Sequence, residues 1–193
     1  MAIDKTHVVV VDIEATCWKH APPPGEQNEI IEVGVCLLNL ETGESSLKRS
    51  ILVKPTRSKV SHFCTKLTTL TQEQVDEGVT FAEACATLEN DYDSKNRLWV
   101  SWGDYDRRMF EEQCASFHVP YPFSDRHMNL KQQFAALGNL SRAVGMARAL
   151  KMLDMSMQGT HHRGHDDAWN ISRIMARMLQ RSGKDFVLPY LEG

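Results

Sequence analysis

Apolar residues fall into short strand-like runs up to Pro55 and space out into helical stripes afterwards. The first run, "VVVVDIEATCW" from Val8, has the density of a strand buried on both faces, and the expected strand covers roughly residues 7–13. A second strand is expected through "EIIEVGVCLLNL" from Glu29 and a third through "SLKRSILVKP" from Ser46, with the turn "ETGE" at Glu41 between them. Connections this short predict an antiparallel meander. Helices follow. Thr71 with Gln74 and Thr80 with Glu83 each form a capping box ahead of "QEQV" and "FAEACATLENDY". "RLWVSW" from Arg97 reads as a fourth strand, "DYDRRMFEEQCASF" from Asp104 as a helix capped by Asp104, and "HMNLKQQFA" from His127 as a fifth strand. Two further helices are expected around Ser141–Leu153 and from about Asp166 to Gln180. Three meandering strands followed by alternating helix and strand predict an α/β domain, with helices flanking a mixed five-stranded sheet.

The first strand ends in two acids one residue apart. Alternate strand residues share a face, so Asp12 and Glu14 point the same way while Ile13 points the other. On the helix after Asp104, Asp106 falls in line with Met109, Phe110 and Phe117, and Asp104 lies on the far side. On the last helix Asp167 aligns with Ile171, Ile174 and Met178, and Asp166 is about 100° off that stripe. A helix dipole alone explains one acid in a first turn. Four inward carboxylates, Asp12, Glu14, Asp106 and Asp167, need a compensating charge, because like charges buried together are costly. Magnesium or manganese prefers such oxygen ligands, and two ions roughly 3.5–4 Å apart can clamp the attacking and leaving oxygens of a phosphodiester. Hydrolysis also needs a base, and "GTHHRGHDDAWN" offers His161, His162 and His165, among which the residue types do not discriminate.

Composition narrows the setting. The 193 residues suit one domain, 1–193, at 42 % hydrophobic and 24 % charged. Five cysteines without a CxxC pair read as free thiols, which leaves any metal to oxygen. A net charge of -3 excludes an overall basic field, so a nucleic acid would be held locally, near an end. The opening apolar run is too short for a signal peptide or a membrane span, which makes the cytoplasm the expected compartment and no membrane partner expected.

"DIEATCW", "SWGDYDRRMF" and "HHRGHDDAWN" resemble, in order, the three motifs of the DEDDh 3′-to-5′ exonucleases, and "HFCTKLTTLTQEQV" is similar to the ERI-1, histone mRNA 3′-end exonuclease and KapD-like group. The likeness spans roughly residues 5–180 and leaves 181–193 as a tail. It implies an RNase H-like fold with two Mg²⁺ or Mn²⁺ ions between Asp12, Glu14, Asp106 and Asp167. The family's histidine stands five residues before its last aspartate, which matches His162 as general base and excludes His165; a loop histidine is ordinarily a surface residue, and His161 and His165 are expected to be that. The implied reaction frees 5′-mononucleotides from single-stranded RNA ends. A DNA-directed exonuclease and a catalytically silent nucleic-acid-binding module are the rivals. By the same likeness, Glu14, Ala15 and Thr16 hold the terminal 3′-OH, and the stretch containing Phe63, Leu67 and Thr68 lines the last nucleotides. Where relatives often read "LTGIT" this chain reads "LTTLT", so Thr69 stands in place of a glycine. The loop Lys19–Gln27, rich in proline, has no assigned role.

Overall fold

The structure is a computed structural model describing residues 4–192; Met1, Ala2, Ile3 and Gly193, and with them the outer limits of the expected domain, lie outside the described residues. Five strands, β1 (Asp4–Ala15), β2 (Ile30–Asn39), β3 (Ser45–Leu52), β4 (Arg97–Ser101) and β5 (His127–Asn129), form one sheet in the order β3-β2-β1-β4-β5. β1, β2 and β3 pair antiparallel as the meander requires, and β4 and β5 join in parallel on the other side of β1. The helices are α1 (His62–Thr68), α2 (Gln72–Asp76), α3 (Phe81–Tyr92), α4 (Tyr105–Phe117), α5 (Leu130–Leu137), α6 (Met146–Met152), α7 (Gly164–Ser182) and α8 (Leu188–Leu191), with a 3₁₀ turn at Ser94–Asn96.

Both faces of the sheet are covered, and this explains the valine run. Val8 and Val10 pack with α5, α6 and α7 through Phe134, Ala149, Ile171 and Ile174, whereas Val9, Val11 and Ile13 pack with α3 and α4 through Phe81, Leu88 and Phe110. All four valines are fully buried. Removing such a side chain from water stabilises by roughly 1.5–3 kcal/mol each, so strand and register are fixed together. Asp12 and Glu14 continue the face of Val8 and Val10, toward α7. Among the described residues no helix is long and apolar enough to cross a membrane. All five cysteines are free thiols, as their scatter predicts.

Three expectations change. "HMNLKQQFA" is a strand only at His127–Asn129; the Asn129 side chain accepts the Gln132 N–H at 3.1 Å and starts α5, whose Leu130 and Phe134 are buried one turn apart. The helix expected from Ser141 begins at Met146, after the extended Gly145. Asp104 occupies the N-cap position of α4 without capping it, because its carboxylate accepts from Asn129 Nδ2 at 2.8 Å. Both capping boxes form, at Thr71/Gln74 and Thr80/Glu83. Thr69 takes the left-handed C-cap conformation of α1 at φ 65°, donating its N–H to Thr65 O, so the threonine holds the backbone a glycine would favour.

Candidate active site

The site lies at the C-terminal end of β1, where α4 begins on one side of the sheet and α7 on the other. An open cavity of about 330 Å³ is lined there by Asp12, Glu14, Trp102, Tyr105, Asp106, Met146, His161, His162 and Asp167 among others. The structure thus brings all four expected acids and His162 to one place. One carboxylate oxygen each from Asp12, Glu14 and Asp167 lies within 4.8 Å of the others. Asp106 approaches from α4 and fixes itself by accepting the Ile13 N–H at 3.0 Å, a bond between the first turn of α4 and the strand carrying the other two acids.

Two glycines set how closely α7 approaches. Asp12 pairs with Gly34 across β1 and β2, and a Cβ on Gly34 would lie 1.8 Å from the Gly164 carbonyl carbon; one on Gly164 would lie 2.9 Å from Asp12 O. Backbone-to-backbone contact there lets the first turn of α7 deliver Asp167 to the end of β1. Glu32, on β2 directly opposite Glu14, secures that turn. Its fully buried carboxylate accepts from Gly164 N (3.0 Å), Arg163 Nε (3.1 Å) and Nη2 (3.4 Å), His165 Nδ1 (2.8 Å) and Ser50 Oγ (2.5 Å). Burial raises the Glu32 pKa, but the hydrogen bonds from Arg163, Ser50 and His165 outweigh it and hold the group below its ordinary value. Glu32 has no place in the reading from sequence, though an acid inside an otherwise apolar strand was the available signal.

The other acids titrate the opposite way. Burial, then the charges of Asp167, Glu32 and Asp106, pushes Glu14 up to about 8. Burial and the neighbouring carboxylates raise Asp12 well above the usual range, burial lifts Asp106 to about 6, and burial raises Asp167. A site that resists ionisation in this way is poised to take cations, and its donors are hard oxygens of the kind Mg²⁺ and Mn²⁺ prefer. The residues therefore fit a divalent metal.

The histidines divide differently from the expectation. His162 sits in a left-handed turn at φ 64° and its N–H donates to Asp167 Oδ2 at 3.0 Å. Burial, then the adjacent His161, lowers its pKa. His161 is exposed, as expected, but it is not idle: its ring stacks on His162 at 3.9 Å between centroids and its Nδ1 lies 3.0 Å from Asp167 Oδ2. Nor is His165, which is committed to Glu32. Asp166, off the stripe as expected, is nonetheless buried and binds Lys48 Nζ at 2.5 Å and Thr160 N at 2.8 Å.

Of the expected substrate contacts, Phe63 and Leu67 are exposed, and with Lys19, His62 and Lys66 they line a mostly apolar hollow of about 470 Å³. Ala15 is buried, as are Thr16 and Thr68, whose hydroxyls are used internally: Thr16 bonds Gln27 O and Glu29 N, Thr68 bonds Cys64 O and Leu70 N. Tyr105 and Trp102, absent from the sequence reading, present aromatic surface in the cavity, where two aromatics within the six residues "SWGDYD" that end in Asp106 were the signal.

Residues 9–175 match the family model described as Exonuclease, RNase_T. The chain belongs to the DEDDh exonuclease family. Its fold is the RNase H-like one: it superposes on the nuclease domain of 3'hExo, a DEDDh family member, solved bound to rAMP, with a TM-score of 0.85 and 29 % identity over 95 % of this chain and 96 % of that one. It is 32 % identical to the 3'-5' exoribonuclease 1 of Homo sapiens over 90 % of this chain, but spans only 52 % of that protein. The probable 3'-5' exonuclease KapD of Bacillus subtilis is 29 % identical, over 90 % of this chain and 84 % of that protein.

Proposed function

We propose that this exonuclease removes 5′-mononucleotides from the 3′ ends of single-stranded RNA, with two Mg²⁺ or Mn²⁺ ions held by Asp12, Glu14, Asp106 and Asp167 and with His162 as general base. The observation that carries the reading is the convergence of those acids, three with oxygens within 4.8 Å, in one open cavity with a histidine. When bound, the ions would supply charge stabilisation to the attacking and leaving oxygens. The chain's own residues do the rest. His162, its pKa lowered by burial and then by His161, accepts a proton from water at its imidazole nitrogen. Glu32 and the glycine contact hold the turn that aims it. Tyr105 and the exposed Phe63 and Leu67 offer faces on which any base can stack, which suits an enzyme that must accept every nucleotide.

Support for RNA comes from the human relative's name and from a neighbour, 28 % identical with a TM-score of 0.83, described as recognising the histone mRNA stem-loop at its 3′ end. A time course on 5′-labelled RNA and DNA of matched sequence, in Mg²⁺, Mn²⁺ or EDTA, tests the proposal. A ladder shortening from the 3′ end only with metal, and faster on RNA, is expected. Faster loss of DNA would replace the substrate, and binding of both strands without cleavage would replace the enzyme with a binding module.

A further inference from the structure

The reaction uses one histidine of the turn before α7, yet two converge on Asp167. Consecutive residues ordinarily point apart. Here the left-handed conformation of His162 folds the turn so that the two rings stack with 23° between their planes. His161 Nδ1 stands 3.2 and 3.0 Å from the two oxygens of Asp167, and one ligand atom each from His161, His162 and Asp167 lies within 4.8 Å of the others. The outer member is open to solvent, since the His161 side chain is 42 % exposed, while Asp167 is buried and fixed by His162 N–H.

Two imidazoles and one carboxylate form a donor set different from the four acids beside it. Hard cations such as Mg²⁺ favour oxygen ligands, whereas zinc takes imidazole and carboxylate together, with three protein ligands and an open fourth position. Ligands at about 2.0–2.2 Å around a tetrahedral ion stand roughly 3.3–3.6 Å from one another. The His161–Asp167 contacts, 3.2 and 3.0 Å, already lie near that spacing, and ligation by His162 as well would turn the two stacked rings out of parallel so that both nitrogens face one ion. Zinc also outcompetes manganese for a mixed nitrogen and oxygen site on intrinsic affinity.

We propose that His161, His162 and Asp167 form a binding site for zinc or a similar borderline divalent cation, and that its occupation inhibits the exonuclease. Inhibition follows because the ion withdraws Asp167 from the oxygen-ligated pair and occupies the nitrogen of His162 that would take the proton. The binding half stands on the triad alone; the inhibitory half rests on the function proposed above.

The test is calorimetric titration of zinc sulfate into chelator-treated, desalted protein, for wild type, His161→Ala and His165→Ala, with circular dichroism to check folding. Wild type should bind one zinc ion, His161→Ala should bind it at least ~10-fold more weakly, and His165→Ala, which takes a donor from Glu32 but no ligand from the ion, should weaken it clearly less than His161→Ala does. Zinc added to Mg²⁺-driven RNA hydrolysis, scored against each protein's own zinc-free rate, should inhibit wild type at concentrations at least ~10-fold lower than His161→Ala. Absence of zinc binding by wild type, or equal binding by folded His161→Ala, would overturn the site. His161-dependent binding with no effect on an active enzyme would overturn the inhibition. The expected titrations from a wild type that hydrolyses nothing in Mg²⁺ would keep the site and reject the nuclease reading instead.

Discussion

Replacing Glu32 separates the support of the site from its chemistry. Its two oxygens serve different donors: Oε2 accepts from Arg163 Nε and Gly164 N, and Oε1 from Ser50 Oγ, His165 Nδ1 and Arg163 Nη2. Alanine would leave the half-buried Arg163 guanidinium, 22 % exposed, and a buried helix N–H without their acceptor, which costs up to about 3–5 kcal/mol, the range for removing one partner of a fully buried pair. Glutamine is milder. It can set its oxygen where Oε2 stands and its NH₂ where Oε1 stands, with the Ser50 hydroxyl and the His165 ring turned to accept and only the long Arg163 Nη2 contact, 3.4 Å, left facing a donor. What it loses is the charge, and hydrogen bonds to charged groups are worth about 1.5–3 kcal/mol. Urea denaturation at pH 7 should therefore order wild type above Glu32→Gln above Glu32→Ala in midpoint, with an unchanged slope. Because Glu32 is held below its ordinary value, 4.5, its stabilising contribution is present above that pH and fades as pH falls through the folded-state value. The gap between wild type and glutamine should narrow below about pH 4.5. Both variants should also lose activity where still folded, since the turn carrying His162 and Asp167 loosens. A cost under ~1 kcal/mol for both substitutions would refute the argument that this carboxylate secures the first turn of α7.

Other expectations follow from the same geometry. In EDTA, melting temperature should fall as pH rises: Glu14 and Asp106 have folded-state values raised to about 8 and about 6, so the stability they favour is full below their ordinary 4.5 and 3.8 and is lost through the raised values. Mg²⁺ should restore it at pH 8, and a flat metal-free profile from pH 5 to 8 would contradict the charge cluster. Gly34→Ala drives a Cβ into the Gly164 backbone and should cost at least the upper end of the 1–3 kcal/mol typical of overpacking, about 3 kcal/mol, read by thermal denaturation. Thr69→Gly relieves a β-branched residue at φ 65° and should stabilise by up to about 1 kcal/mol, with a lower melting temperature as the contrary result.

Much of this was legible in sequence because period carries it. Alternation along Val8–Glu14 put both acids on one face, and the i, i+4, i+7 stripe from Asp167 chose it over Asp166; the burial of both sheet faces makes these patterns strict. What period does not encode is what was missed. Asn129 ends a three-residue strand by capping a helix, a local hydrogen bond that leaves no hydrophobic signature. The proximity of His161 to Asp167 depends on a left-handed backbone at His162, which no residue type there announces. Glu32 was visible as an acid in an apolar strand, but its meaning depends on α7 arriving 132 positions later in the chain.

The central claim, that His162 supplies the base within this set of acids, is tested most directly by the single-turnover cleavage rate of His162→Ala on 5′-labelled RNA at saturating Mg²⁺. A fall of about 10²–10⁴-fold with RNA affinity retained is predicted. A rate close to that of wild type would contradict it.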